Sequence, residues 1–292
     1  MLDSLKYYLE TNALYLISKI PKEILVKSYT SALAIHELIS GINPDNFDKR
    51  KNLLILIKAN KLVIDWRMPE EIIADSFDAL FDHDFIDNRT KSLSSIYHLV
   101  CNLKNFEEFE VKVTEINLSL NYFKDLDKYW SSNFINSIQN GNKEIKKIFE
   151  SEIKQVIPLD DKEFTINSHD DLEIFFAENP LFNKSITIYA LASLLFSMIR
   201  DEDINENNAE NVIANIYQSY NSFIEYYVNA ASLYNQHKIL NKESAAKNDF
   251  VDLFHLLYLR NFSSTKIISD DNIYYNLLNI QNTIKLKDIV TK

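Results

Sequence analysis

The sequence predicts an α/β fold: a parallel sheet flanked by helices, carrying a large all-helical insertion, so that helices dominate overall. Three observations predict it. Short apolar runs alternate with helical segments at both chain ends, the signature of strand–helix–strand units and a parallel sheet. Between Pro69 and about Lys247 the apolar residues instead recur mostly at helical spacing. Finally, the 292 residues include only 2 glycines and 5 prolines, too few for a many-turned β architecture.

Taken in order, Leu5–Leu9 reads as a buried strand and Asn12–Lys19 as a helix, capped by Thr11 or Asn12. Pro21 separates this helix from a second strand, Ile24–Tyr29. Ser31 is a suitable N-cap for a helix over Ala32–Gly41, which Gly41 would end. Asn52–Lys58 reads as a helix and Lys61–Asp65 as a third strand. Pro69 then opens a helical series, since proline is favoured in a first turn. Its members are 70–81, 89–103, 107–121, 125–139, 144–156, 170–178, 185–200 and one long helix over 209–240. Ser168 before Asp170 and Asp171 is a capping signal, and Lys154–Ser168 is the best loop or short-strand candidate. A further helix is expected to run from Asn241 into Asp249. The chain closes with a strand at Thr265–Ser269, a helix at Asn272–Asn279 and an edge strand within Ile284–Val290. A structureless stretch as long as 69–247 would be no ordinary loop, so it is expected to form a subdomain. The core is then discontinuous, made of 1–68 and 248–292.

Composition narrows the function. Gly41 and Gly141 cannot build a P-loop or a dinucleotide fingerprint. The net charge of −11 argues against loose binding to long nucleic acid, though not against a local basic rim. Lys49, Arg50 and Lys51, and Lys58 with Lys61, are candidates for contact with phosphates. Cys101 is the single cysteine, so no internal disulfide exists, and it reads as a core residue. The opening MLDSLKYYLE shows no basic leader, and the longest apolar run, Ile186–Ile199, is short for a bilayer. A cytoplasmic location without membrane contact is therefore expected.

The most informative residues are acids at the two ends of the chain. Glu10 closes the first strand, Glu37 lies in an apolar helix, Asp249 and Asp252 lie in NDFVDLFHLL, and Asp270 and Asp271 follow the last long strand. Carboxylates are costly to bury singly. Gathered in one cleft they make an oxygen-rich site suited to Mg2+ or Mn2+. Asp249 and Asp252 stand three apart and should share a helix face. His255 follows Asp252 by three and could face such a site, but it reads first as a packing histidine, because no second histidine has ligand spacing. Asp82-His83-Asp84 reads as a turn rather than a metal cluster, since consecutive side chains point apart.

These segments resemble the PIN domain, a family of magnesium-dependent nucleases that mostly cut RNA. Leu9-Glu10-Thr11-Asn12 resembles its opening Asp-Thr-Asn, with Glu in place of Asp; Glu37 falls in the helix after the second strand; Asp252-Leu253-Phe254-His255-Leu256 resembles its late acidic helix; and Ser269-Asp270-Asp271 resembles its Thr-x-Asp. The resemblance implies metal-dependent phosphodiester hydrolysis, most often of RNA, with single-stranded DNA as a further substrate. Glu10, Glu37, Asp252 and Asp271 would be the catalytic metal ligands, with Asp249 and Asp270 in reserve. Thr11, Asn12 and Ser269 would hydrogen-bond those carboxylates. Members serve as toxins, in RNA processing or in defence. The alternative is an inactive member that docks a protein partner, or a second copy of itself, through the helical region. On the active reading, that region packs beside the cleft mouth and Lys58 and Lys61 line the rim.

Overall fold

The computed structural model describes residues 5–77, 83–115, 128, 131–132, 135–136, 138–143, 147, 155–159, 162–166, 168–196, 209–246, 248–259 and 264–290. Its centre is a five-stranded parallel sheet in the order β3-β2-β1-β6-β7. The strands are β1 (Tyr7–Leu9), β2 (Ser28–Ser31), β3 (Val63–Asp65), β6 (Lys266–Ser269) and β7 (Thr283–Lys285). A separate antiparallel hairpin joins β4 (Gln155–Leu159) to β5 (Lys162–Ile166), within the stretch expected to be loop or short strand. The parallel α/β class is as the sequence predicts, with helices on both faces.

Alternation along the strands explains the two layers. Tyr8 and Ile267 enter one apolar cluster, while their neighbours Leu9 and Ile268 enter the other. Successive strand residues point to opposite faces, so a sheet covered on both sides favours buried residues at every position; where these are polar, as Ser28, Thr30 and Ser31 in β2, their hydroxyls are hydrogen-bonded. Tyr8 pairs in register with Tyr29 on one side and Ile267 on the other, which puts β1 at the middle of the sheet.

The cover on the Leu9 face comes from Leu14, Ile35, Leu54, Ile96, Val100 and Phe109. The Tyr8 face is covered by Ile72, Leu191, Val228, Leu253 and Leu256. Helices from the 69–247 segment thus share both cores with the sheet. Among the described residues a small cluster, Ile166, Leu172, Phe175 and Phe176, packs away from it around the hairpin.

Several boundaries differ from the sequence reading. The expected strand Ile24–Tyr29 begins instead as one helical turn, Lys22–Leu25, and β2 proper is Ser28–Ser31. Pro21 as N-cap starts that turn, overriding the β-preference of Ile24 and Val26. Residues 209–240 form two helices, Ala209–Gln218 and Glu225–Leu240, because Ser222 adopts φ 64° between them. No helix runs from Asn241 into Asp249: Lys242 is left-handed at φ 54°, and a new helix spans Asp249–His255. At the C-terminus the expected helix is a π-helical turn, Ile273–Leu277, and β7 gives way to the short helix Leu286–Ile289. Of the series after Pro69, the described helices are Pro69–Ala74, His83–Asn102, Phe106–Glu115, His169–Glu178 and Pro180–Phe196. Of the helices expected over 70–81, 107–121, 125–139, 144–156 and 185–200, the parts 78–81, 116–121, much of 125–139, most of 144–154 and 197–200 lie outside the described residues. No described helix is long and apolar enough to cross a membrane.

Candidate functional site

In a doubly wound sheet, ligands bind beyond the carboxyl ends of the strands, where the chain's connections diverge. That point here lies between β1 and β6, because β1 is followed by β2 on one side and meets β6, far later in the chain, on the other. A cleft of about 320 Å³ opens there, and Glu10, Glu37, Asp252 and Asp271 all line it.

Glu10 follows β1 directly and is only 3 % exposed. Its extended backbone makes it the N-cap of the helix Thr11–Tyr15, where its oxygens accept from the backbone N–H of Asn12 at 2.6 Å and of Ala13 at 3.3 Å. The cap is therefore Glu10 and neither Thr11 nor Asn12. Glutamate is an unusual cap, and its extra methylene lets it fold back over the helix start. Burial pushes its carboxyl up to about 7, with Glu37 adding to the rise against the lowering effects of His255, the Asn12 N–H and Ser269.

Glu37 stands on Ala32–Ser40, a helix capped by Ser31, whose Oγ accepts from the Ala34 N–H at 3.1 Å as the sequence predicts. Its Oε2 lies 2.9 Å from His255 Nε2 and accepts from the Thr11 hydroxyl. Burial would raise this carboxyl, but His255 and Thr11 outweigh it and hold it below the usual range. Burial by itself would lower His255; Glu37, then Glu10 and Asp252, reverse that and raise it.

Asp252 lies in the first turn of Asp249–His255, one turn before His255. Its carboxyl is pushed up to about 8, first by burial, then by the charge of Asp271, with Glu37 and Glu10 adding and His255 opposing. Asp271 follows β6. Its N–H donates to Ser269 Oγ at 2.9 Å, and its Oδ1 accepts from the Ile273 N–H at 3.1 Å.

The reserve acids do not join this group. Asp249 turns back from its helix start to accept from the Ala246 N–H at 3.0 Å and from the Tyr234 hydroxyl, and it lines an adjoining depression with Lys238 and Asp271 rather than the cleft itself. Spacing of three does not bring it to Asp252, because local hydrogen bonds hold it at the helix end. Asp270 is exposed and accepts from the Lys287 N–H at 3.2 Å. His83 and Asp84 open the helix His83–Asn102, whereas Asp82 lies outside the described residues. Cys101 is half-buried, with its thiol raised by burial against the charges of Lys58 and Lys51.

Of the other side chains that line the cleft, Tyr15 was not singled out in the sequence, whereas His255 and Arg50 were. His255 is a buried packing residue, as read, but it also faces the cleft, held between Glu37 and the Tyr8 hydroxyl, which is 2.5 Å from its Nδ1. The signal was its spacing of three from Asp252. Tyr15 and Arg50 also line the cleft, whereas Lys58 and Lys61 do not, and no described residue of 69–247 does so either. The expected gate and lysine rim are therefore absent from the described lining.

Carboxylates without any thiolate suit a hard cation by donor chemistry. Among the described residues, however, no three acidic, histidine or cysteine side chains are arranged to hold a metal ion. The hydrogen bonds explain this: Glu10 faces its own helix, and Glu37 is engaged by His255 and Thr11. Ligation would need Glu10 and Glu37 to turn an oxygen toward Asp252 and Asp271. No family model, curated protein or solved structure matches the chain.

Proposed function

We propose that this cleft hydrolyses phosphodiester bonds, with RNA as the principal substrate, and takes Mg2+ or Mn2+ to do so. One observation carries the reading: acids from four sequence-distant segments line one cleft at the divergence point of a parallel sheet. A bound divalent cation would supply an activated water and neutralise charge on the phosphate. Glu10, Glu37, Asp252 and Asp271 would hold it. Thr11 and His255 fix the orientation of Glu37, and Ser269 holds the backbone of Asp271. Without a cation the Asp252 carboxyl is pushed up to about 8, first by burial and then by the charge of Asp271, and a bound cation would offset both. A toxin, RNA-processing or defence role would follow from this activity.

The test is incubation of the protein with mixed single-stranded RNA and DNA, with Mn2+ or with EDTA. Cleavage with Mn2+ alone, lost in Asp271→Asn, supports the reading; no cleavage under either condition refutes it.

A second reading, a non-catalytic binding protein, is favoured by the existing pairing of Glu37 with His255. Its docking face would include Leu181, Ile186 and Tyr189, exposed on the helix Pro180–Phe196. Binding of a partner without any metal-dependent cleavage distinguishes it.

A further inference from the structure

Beside its acids the cleft carries Arg50 and the ring of Tyr15, and Lys49 stands against the same ring. Lys49 and Arg50 are consecutive on the helix Phe47–Ala59. Lys49 Nζ lies 5.3 Å from the centroid of the Tyr15 ring, and Arg50 Cζ lies 5.2 Å from it. Tyr15 and Arg50 line the same cleft as Glu37 and Asp252.

Neither cation makes an ion pair with a described residue, although the protein's net charge is −11 and acids stand nearby. Arg50 is fixed by carbonyls instead: its Nη1 donates to Glu37 O at 3.1 Å and to Leu38 O at 3.4 Å. It therefore keeps its whole charge while being held on the backbone of the residue that carries the Glu37 carboxylate. A guanidinium so fixed, with donors left over, suits a phosphate oxygen. A ring flanked by cations suits a nucleotide, whose base stacks while its phosphate is neutralised.

Resting on the reading of the cleft as a phosphodiester site, we propose that Lys49, Arg50 and Tyr15 form a nucleotide subsite beside the acids. It takes the phosphate neighbouring the one to be cut. The substrate is then a single-stranded polynucleotide of at least two linked nucleotides, not a phosphomonoester. Gly41 makes room for this arrangement: a Cβ added there would stand 2.7 Å from Arg50 Nη2. Its φ of −86° would itself accept alanine, so the substitution would displace the guanidinium without removing its charge.

The test separates binding from cutting. A fluorescent ten-nucleotide single-stranded RNA is titrated, in EDTA and at several salt concentrations, against Asp252→Asn protein and against the same protein carrying Lys49→Ala, Arg50→Ala, Tyr15→Ala or Gly41→Ala. Each loss of a cation should weaken binding about three- to tenfold and lower the slope of log K against log salt by roughly 0.7. Gly41→Ala should weaken binding with that slope kept, and Tyr15→Ala should do likewise. Arg50 also holds the end of the Glu37 helix, so circular dichroism accompanies each titration, and Lys49→Ala alone suffices if Arg50→Ala unfolds. Unchanged affinity and slope in Lys49→Ala, or no binding by Asp252→Asn protein, overturns the subsite. If the subsite binds as expected but parent protein with Mn2+ does not cut, the nuclease reading fails while the subsite stands.

Discussion

Replacing Asp252 by asparagine should stabilise the metal-free protein, and increasingly so as pH rises. The carboxyl sits at about 8 in the fold against 3.8 in an unfolded chain, owing first to burial and then to Asp271. The sign follows from proton binding. A raised acid holds, in the folded state, a proton that the unfolded chain has released, so stability falls as pH climbs from about 4 and levels off above about 8. Four units at about 1.4 kcal/mol each set a ceiling of roughly 5 kcal/mol at pH 8. Asp252 is only partly buried, so water and shared charge reduce this; about 2 kcal/mol is the working figure. Asparagine keeps the shape without the charge. For a chain of this size the gain corresponds to about 4 °C in Tm at pH 8, and roughly a third of that at pH 5. Thermal unfolding of both proteins in EDTA at the two pH values measures it. An equal gain at both pH values, or a loss at pH 8, would refute the electrostatic account of the cleft. The same variant should have no metal-dependent cleavage.

Tyr8→Phe removes the hydroxyl that lies 2.7 Å from Ser31 Oγ and 2.5 Å from His255 Nδ1, leaving the buried Nδ1 without this partner. Urea unfolding should show a loss of about 1–3 kcal/mol. Ser31→Ala loses both that contact and the cap on the Glu37 helix, and should cost about 1–2 kcal/mol in the same assay. Ile268→Ala, fully buried in β6, should cost about 2–5 kcal/mol with a midpoint shift at constant m. Mn2+ should raise the Tm of the parent more at pH 8 than at pH 6, because protons compete with the cation for Asp252 and Glu10.

The parallel sheet was legible because a strand buried on both faces has a continuous apolar pattern, as Leu9 and Ile268 show beside Tyr8 and Ile267. The Ser31 and Ser168 caps were legible because capping is a local interaction. Breaks made without glycine were not: Ser222 and Lys242 take positive φ with nothing in their identity to announce it. The four principal acids could be placed from strand and helix context. Their hydrogen bonds could not, since the links from Tyr8 through His255 to Glu37 join residues 247 and 218 positions apart. Asp249 shows the limit of helical spacing, because two hydrogen bonds at the helix start turn it away from Asp252. The helical segment was read as a separate body because periodicity gives each helix an apolar face but does not name what that face covers.

The central claim is that Glu10, Glu37, Asp252 and Asp271 form one cation site, and anomalous scattering from crystals grown with Mn2+ tests it most directly. The account predicts a manganese peak in the cleft between these carboxylates, with Glu10 or Glu37 turned from its present hydrogen bonds toward the ion. A cleft without manganese at millimolar concentrations, with Glu10 still on its helix and Glu37 still on His255, would contradict it.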